Sequence, residues 1–137
     1  MLKIENLIPQ RYPFLFVDEI LSASAEETVG IKTYTHDFLY CQEYLPGKKI
    51  IPPTILLESI VQCGGAGVTQ LGIFERACWG LAGVDKISLF DWVEPCAATK
   101  MIVKNIKVTH KVLKQTGSTF CNGKKVLEAT WLCLRLP

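Results

Sequence analysis

The sequence lacks the closely spaced pairs of metal-binding residues that mark zinc and iron–sulfur sites. No two of its six cysteines are separated by only two residues, and histidine occurs only at positions 36 and 110. Metal sites need such pairs at short spacing, and glycine-rich phosphate-binding motifs are missing as well. We therefore expect neither a metal nor a cofactor. The cysteines lie mostly within apolar runs, which predicts free, buried thiols in a reducing cytoplasm.

Long apolar runs and concentrated charge are also missing. Of the 137 residues 20% are charged, the net charge is +2, and no run reaches the roughly 18 apolar residues of a membrane span. Nucleic-acid binding, which usually shows a concentrated basic face, is not predicted. The first ten residues contain Glu5 and Pro9, unlike a signal peptide. We expect a single domain, residues 1–137, that is large enough for a core.

What the sequence does contain is one long helical segment among several strand-like segments. Pro52 and Pro53 open the helix, because proline fits a first helical turn, and the segment runs from Thr54 to about Gly72. Strands are predicted at residues 14–21, 27–34, 79–90, 100–113, 115–121 and 125–136, with a short helix or turn at 4–8, an irregular segment at 35–51 and a hairpin turn at 122–123. This order predicts an α+β domain with the sheet wrapped around the helix.

The helix carries a single polar stripe. Thr54, Glu58 and Gln62 are spaced four residues apart, which places them on one face. An ionised carboxylate in an apolar run is costly to bury unless something pairs with it. The stripe therefore indicates either a satisfied internal network or the wall of a site, and periodicity alone does not choose between them.

The same segment is rich in glycine, which occurs at positions 64, 65, 67 and 72. Each glycine costs about 1 kcal/mol relative to alanine within a helix. We therefore expect close backbone approach, either by a tightly curled sheet or by a second subunit.

Three motifs, in order, resemble the 3-hydroxyacyl-[acyl carrier protein] dehydratases of the FabZ type. Residues 7–18, LIPQRYPFLFVD, resemble the family's L-x-P-H-R-Y-P-F-L-L-V-D, and residues 81–86, LAGVDK, resemble F-A-G-I-D-K. Between them, residues 45–62, LPGKKIIPPTILLESIVQ, resemble F-P-G-x-P-x-M-P-G-V-L-x-x-E-A-x-A-Q. The resemblance spans nearly the whole chain and implies a hotdog fold, an antiparallel sheet wrapped around one long central helix. Activity follows less directly, because fold does not fix function.

The resemblance implies a site that is shared between two subunits. A histidine of one subunit and a glutamate on the central helix of the other remove the proton α to the thioester carbonyl and help the 3-hydroxyl leave as water. The helix N-terminus supplies a backbone N–H to the thioester oxygen. The implied substrates are thioesters of acyl carrier protein or coenzyme A, in fatty-acid, lipid or polyene synthesis. The implied assembly is a homodimer or a heterodimer with a dehydratase-like chain.

Of the three catalytic elements, only the glutamate carries over, at Glu58. The histidine position is held by Tyr44, and a phenol is a poor base at neutral pH. The glycine that would give the backbone N–H falls on Pro53, which has none. We take Glu58 and Tyr44 as the candidate catalytic residues. The candidate substrate-binding residues are Pro53, Thr54, Gln62, Lys48 and Lys49.

Other polar residues have weaker roles in this interpretation. Lys48 and Lys49 precede the helix, where they could steer an acidic carrier protein or simply be exposed for solubility. His36 would share a face with Tyr44 if residues 36–44 were extended, and could then replace the missing base. His110 is predicted to be a solvated surface residue. Gln10 and Arg11 are predicted to have structural roles.

Three functions remain open from the sequence. The first is a half-site or structural subunit, which offers Glu58 to a partner chain that has the histidine. The second is a self-sufficient dehydratase that uses Tyr44 and Glu58. The third is a thioesterase of the same fold class, in which Glu58 acts as general base on water. The product would discriminate them, because dehydration gives an enoyl thioester and hydrolysis gives a free acid and a thiol.

Overall fold

A computed structural model describes residues 2–72 and 77–137. Its single long helix, α1, spans Pro53–Gln70, and a short 3-10 helix spans Ile4–Asn6. The strands are β1 (Glu19–Ala23), β2 (Glu27–Thr33), β3 (Gln42–Leu45), β4 (Lys48–Ile50), β5 (Trp79–Leu89), β6 (Ala98–Val108), β7 (Val112–Cys121) and β8 (Lys124–Arg135). Among the described residues, no helix is long and apolar enough to cross a bilayer.

Six strands form one antiparallel sheet in the order β1-β2-β6-β7-β8-β5, and α1 contacts all six. Side chains of β7 alternate between the helix side and the solvent side, so Leu113 and Thr119 are buried, as the two-residue period of a strand requires. Trp131 of β8 is fully buried in the same core. The predicted α+β architecture, a sheet wrapped around one helix, is confirmed.

Close packing explains the glycines of α1. A methyl group at Gly64 would overlap the buried amide of Gln115, and one at Gly67 would overlap the side chain of Thr28. Gly72, just beyond the helix, has φ +73°, a conformation that glycine adopts without strain. The predicted close approach between helix and sheet is therefore confirmed within one chain.

The strand predicted from residue 14 begins only at Glu19, so its first half is wrong. The backbone N–H of Phe16 donates to Oε1 of Gln62 at 2.9 Å, and the carbonyl of Phe14 accepts from its Nε2 at 3.0 Å. A helix side chain thus takes the hydrogen bonds that a neighbouring strand would make. The local pattern of apolar residues does not reveal this competition.

Two further segments differ from expectation. The segment predicted as irregular contains the small hairpin of β3 and β4, with Gly47 in its turn at φ +73°. The strand predicted over 100–113 is interrupted, because the hydroxyl of Thr109 accepts the N–H groups of Lys111 and Val112 and closes a turn there. The Asn122-Gly123 turn is confirmed, with φ of 53° and 78°.

The cysteines are free, as predicted, but not all of them are buried. Cys41, Cys63 and Cys133 are buried, whereas Cys78 and Cys96 are exposed. The two exposed cysteines lie just before β5 and β6, outside the strands themselves. The expectation of buried thiols is therefore wrong for these two.

Candidate active site

Glu58 lies in a narrow cleft beside the second turn of α1. The cavity volume is only about 30 Å³, which is room for about two water molecules. The N-terminal segment, α1 and the start of β5 form its walls. The lining residues are Ile8, Pro9, Gln10, Glu58, Val61, Gln62, Gly65, Ala77, Trp79 and Leu81.

Gln62 fixes the carboxyl group of Glu58. Its Nε2 donates to Oε2 of Glu58 at 2.9 Å and to the Phe14 carbonyl, while its Oε1 accepts from the Phe16 N–H. This backbone donor fixes which end of the amide faces Glu58. Within residues 2–72 and 77–137, Gln62 is the sole hydrogen-bond partner of the carboxyl. The stripe on α1 is thus both an internal network, at Gln62, and the wall of a cleft, at Glu58.

The cleft favours the neutral form of Glu58. Burial raises the pKa of its carboxyl, and the hydrogen bond from Gln62 offsets part of that rise. The thiol of Cys133 also has its pKa raised to about 12, first by burial and then by the charge of Glu58. A carboxyl group whose pKa is raised is suited to donating a proton near neutral pH.

Tyr44 lies outside this cleft. It is 50% exposed on β3, and its hydroxyl donates to the carbonyl of Tyr40 at 3.0 Å. The structure therefore does not bring Tyr44 to Glu58 within one chain. A site shared between subunits, as the family resemblance implies, would not require that it does.

At the start of α1, few backbone N–H groups lack a hydrogen-bond acceptor. The carbonyl of Pro52 accepts the N–H groups of Ile55 and Leu56, and Pro53 has no N–H to offer. Thr54, which is exposed, keeps a backbone N–H that has no acceptor among the described residues. Pro53 and Thr54 stand one turn before Glu58 and do not line its cleft.

The remaining sequence candidates lie away from Glu58. Lys48 is on β4, where its Nζ is 3.9 Å from Oε1 of Glu94 in an exposed ion pair, and the adjacent Lys49 is exposed. The extended segment that would have placed His36 beside Tyr44 is wrong, because turns occupy residues 36–37 and 39–40. His110 is exposed in the turn between β6 and β7, as predicted.

Sequence reasoning missed two walls of the cleft. Gln10, predicted to be structural, lines the cleft, and its amide oxygen is buried there with no hydrogen-bond partner among the described residues. Trp79 lies opposite Gly65, and nothing in the sequence indicates that these two residues meet. Arg11 does have the predicted structural role, because its guanidinium donates to the carbonyls of Glu5, Ile8 and Gln10.

Sequence comparisons relate this chain to known dehydratases. A family model described as a FabA-like domain matches residues 8–130. The FabZ 3-hydroxyacyl-[acyl-carrier-protein] dehydratase of Syntrophobacter fumaroxidans is 35% identical over 131 residues, which is 95% of this chain and 89% of the relative. The FabZ protein of Koribacter versatilis is 30% identical over 136 residues, which is 98% of this chain and 87% of the relative.

Solved structures share the fold at low sequence identity. The dehydratase heterocomplex ApeI:P from Xenorhabdus doucetiae has a TM-score of 0.87 at 12% identity, covering 100% of this chain and 93% of that chain. A hypothetical thioesterase from Streptococcus pneumoniae, solved with coenzyme A, has a TM-score of 0.66 at 13% identity, covering 86% and 84%. Taken with the sequence relatives, these matches establish that the chain has the hotdog fold and belongs to the FabA-like family, which includes the FabZ-type 3-hydroxyacyl-[acyl-carrier-protein] dehydratases.

Proposed function

We propose that this chain is a dehydratase-type subunit that supplies Glu58 to a site completed by a second chain. The substrate would be a 3-hydroxyacyl thioester of acyl carrier protein or coenzyme A, and the second chain would supply a histidine. One observation carries the proposal: Glu58 is held by Gln62 in a cleft that contains no base from the described part of its own chain. Glu58 is therefore positioned to donate a proton, but the described part of its own chain offers no base to remove the α-proton.

In this scheme Glu58 is the proton donor. The partner's imidazole takes the proton on the α-carbon, the electron pair of that C–H bond forms the double bond to the β-carbon, and the β-carbon–oxygen bond breaks. Glu58 gives its proton to the departing hydroxyl, which leaves as water. The raised pKa of Glu58 supports this assignment, because a base would need the ionised form.

Two substitutions support an impaired site in the chain alone. Tyr44 stands where the resemblance implies the histidine, and its hydroxyl is engaged by Tyr40. Pro53 stands where a backbone donor is implied. Loss of one such donor typically costs about 10²–10³ in rate.

The edge strand β5 supports an assembly with a second chain. It is 11 residues long and, within residues 2–72 and 77–137, pairs only with β8, so its other edge has no strand partner among them. Leu81, Val84, Ile87 and Leu89 on this strand are 38–46% exposed. Because Trp79 and Leu81 also line the cleft, a chain that covers β5 would lie beside Glu58.

Dehydration of a 3-hydroxyacyl-carrier-protein substrate tests the proposal. We expect the purified chain to be inert or nearly so, Tyr44→His to gain enoyl product, and Glu58→Gln in the Tyr44→His background to remove it. A FabZ-type chain with an intact histidine but its own glutamate changed to glutamine should recover activity when it is assembled with the wild-type chain.

Other outcomes would replace the proposal. Turnover by the chain alone that Tyr44→Phe abolishes would mean a self-sufficient dehydratase. Release of a free acid and a free thiol, with no enoyl product, would mean a thioesterase. Because one structural neighbour is a hypothetical thioesterase, the free acid and the free thiol should be measured alongside the enoyl product.

A further inference from the structure

The small net charge of the chain conceals a strong segregation of charge. Residues 98–137, which form β6, β7 and β8, contain eight lysines and arginines but only one carboxylate, Glu128. Residues 1–97 contain the other seven cations and twelve carboxylates. The two parts therefore carry charges of +7 and −5, which together give the net charge of +2. Because β6, β7 and β8 are neighbours in the sheet, the positive charge is concentrated in one region of the molecule.

Five of these cations lie on the outer face of the sheet, the side turned away from α1. On β6, Met101 and Val103 are buried in the core, so the residues that alternate with them point outward. On β7, Leu113 and Gln115 are buried in the same way. Residues directly opposite each other on neighbouring strands share a face. The five outward cations, which we call the lysine face, are Lys100, Lys104, Lys107, Lys114 and Lys125.

Most of the charge on the lysine face has no acidic partner. Lys114 lies 3.5 Å from Oδ2 of Asp85, and Lys125 lies 2.7 Å from Oε2 of Glu128. Lys107 is directly opposite Lys114, and like charges in such positions destabilise a sheet. Three exposed lysines form no ion pair with any residue that the structure describes: Lys100, Lys104 and Lys107. The isolated chain thus keeps a repulsive arrangement that an anionic surface would relieve.

Apolar side chains are interspersed among these lysines. Ile102 lies between Lys100 and Lys104 on β6, and Phe120 lies opposite Lys100 on β7. Both apolar side chains are half-buried, and Ile106, at the bulge of β6, is 54% exposed. Surfaces that lie on anionic bilayers combine these two elements, because lysines are attracted to the headgroups while apolar side chains enter the boundary with the acyl chains.

We propose that the lysine face binds the surface of a lipid bilayer rich in anionic lipids. All five cations are lysines, which are compact, strongly hydrated charges. Arginine, which pairs with a carboxylate or a phosphate through two parallel hydrogen bonds, is missing from the face. The lysines of β6 are also spread over residues 100–107, about 23 Å of strand, and not gathered around one pocket. Both features favour diffuse attraction to a charged surface over recognition of one acidic protein or nucleic acid.

This binding surface is separate from the proposed catalytic assembly. A second chain that pairs with the free edge of β5 extends the sheet sideways and leaves the outer face of β6, β7 and β8 uncovered. On β2, Glu27 lies opposite Lys104 and marks the limit of the lysine face. The inference adds a location to the proposed function and does not rest on it.

Sedimentation of the full-length chain with lipid vesicles tests the proposal. We expect binding to phosphatidylcholine vesicles that contain about one-third phosphatidylglycerol, and none to phosphatidylcholine alone. Binding should weaken steeply between about 0.05 M and about 0.5 M NaCl, because salt screens exposed charges. Each lysine near an anionic bilayer strengthens binding about fivefold, so the triple variant Lys100→Gln/Lys104→Gln/Lys107→Gln should bind roughly 100-fold more weakly.

A second triple variant is the matched control. Lys3→Gln/Lys48→Gln/Lys49→Gln removes the same charge from residues that lie outside β6, β7 and β8, and it should bind the vesicles nearly as well as the wild type. Thermal melts check folding. The variant without Lys107 should melt no lower than the wild type, because it loses the repulsion with Lys114.

Three results would overturn the proposal. The first is no sedimentation with the anionic vesicles at low salt. The second is equal weakening in the two triple variants, which would mean that net charge and not the lysine face attracts the chain. The third is failure to bind vesicles together with tight binding of duplex DNA or of an acidic carrier protein through the same lysines, which would assign the face to that partner. The dehydration assay decides the proposed function separately, since it contains no lipid.

Discussion

At the scale of single residues, Gln62 holds both the carboxyl group of Glu58 and the N-terminal segment that forms the cleft wall beside it. Gln62 is 3% exposed and uses its amide oxygen and both amide hydrogens on Phe16, Phe14 and Glu58. A buried amide with all these groups satisfied is rigid, because releasing any one of them leaves a polar atom unpaired. Glu58 therefore has a fixed position before any substrate arrives.

The buried carboxyl of Glu58 should make stability depend on pH in a definite direction. Burial raises its pKa in the folded state, so the folded chain binds more protons than the unfolded chain between the two pKa values. The free energy of unfolding must then fall as pH rises through that window. Glu58→Gln lacks this fall, so its melting temperature relative to the wild type should rise as the pH rises above the ordinary pKa of a glutamate.

Glu128 offers a control with the opposite sign. A hydrogen bond and the charge of Lys125 lower the pKa of Glu128, so its contribution to stability is present above the ordinary carboxyl pKa and lost below the lowered one. Relative to the wild type, Glu128→Gln should lose stability as pH rises, by a small amount because the pair is exposed. Parallel slopes for the two variants would contradict the assignment of Glu58.

At the scale of elements, the glycines of α1 differ in what surrounds them. Gly67→Ala should lower the free energy of unfolding by roughly 1–3 kcal/mol, because its methyl group would overlap the β-branched side chain of Thr28. Gly65→Ala should leave it unchanged or raise it by up to about 1 kcal/mol, because the nearest atom is at 3.5 Å. Urea unfolding of both variants is the measurement.

An equal gain of stability in the two variants would mean that helix propensity alone, and not the contact with β2, decides the effect. A loss in Gly65→Ala greater than that in Gly67→Ala would show that the helix packs on the sheet differently from the structure described.

The elements also show what a single sequence can and cannot predict. The helix, the hairpin at Asn122-Gly123 and most strands follow from local patterns of apolar residues, glycine and proline. The strand predicted from residue 14 is wrong at its start because the backbone groups of Phe14 and Phe16 bond to Gln62, which lies 46 positions from Phe16. Glu58 and Gln62 could be found because they share a helix face. Trp79 could not, because its meeting with Gly65 depends on how β5 packs against α1.

At the scale of the whole molecule, β5 is an edge strand of the six-stranded sheet. We expect the purified chain to exceed the mass of a 15.3 kDa monomer in light scattering after size-exclusion chromatography. Ile87→Lys should shift it toward the monomer, because a charge on an edge strand opposes pairing with a second chain.

Ile106→Lys is the matched control, since Ile106 is also exposed, at 54%, but lies on β6 within the sheet. It should leave the oligomeric state unchanged. A monomeric wild-type chain, or dissociation by Ile106→Lys and not by Ile87→Lys, would rule out assembly of this chain with itself through β5.

The bonds from Gln62 to the N-terminal segment also have a consequence for the order of folding. Phe14 and Phe16 lie 48 and 46 positions before Gln62, and closing a chain loop of that length has an entropic cost before the contact forms. Helix turns and hairpins form from neighbours in the chain and need no such closure. We therefore expect the cleft wall at residues 8–16 to be assembled late, on a helix that already exists, with Glu58 in water until that step.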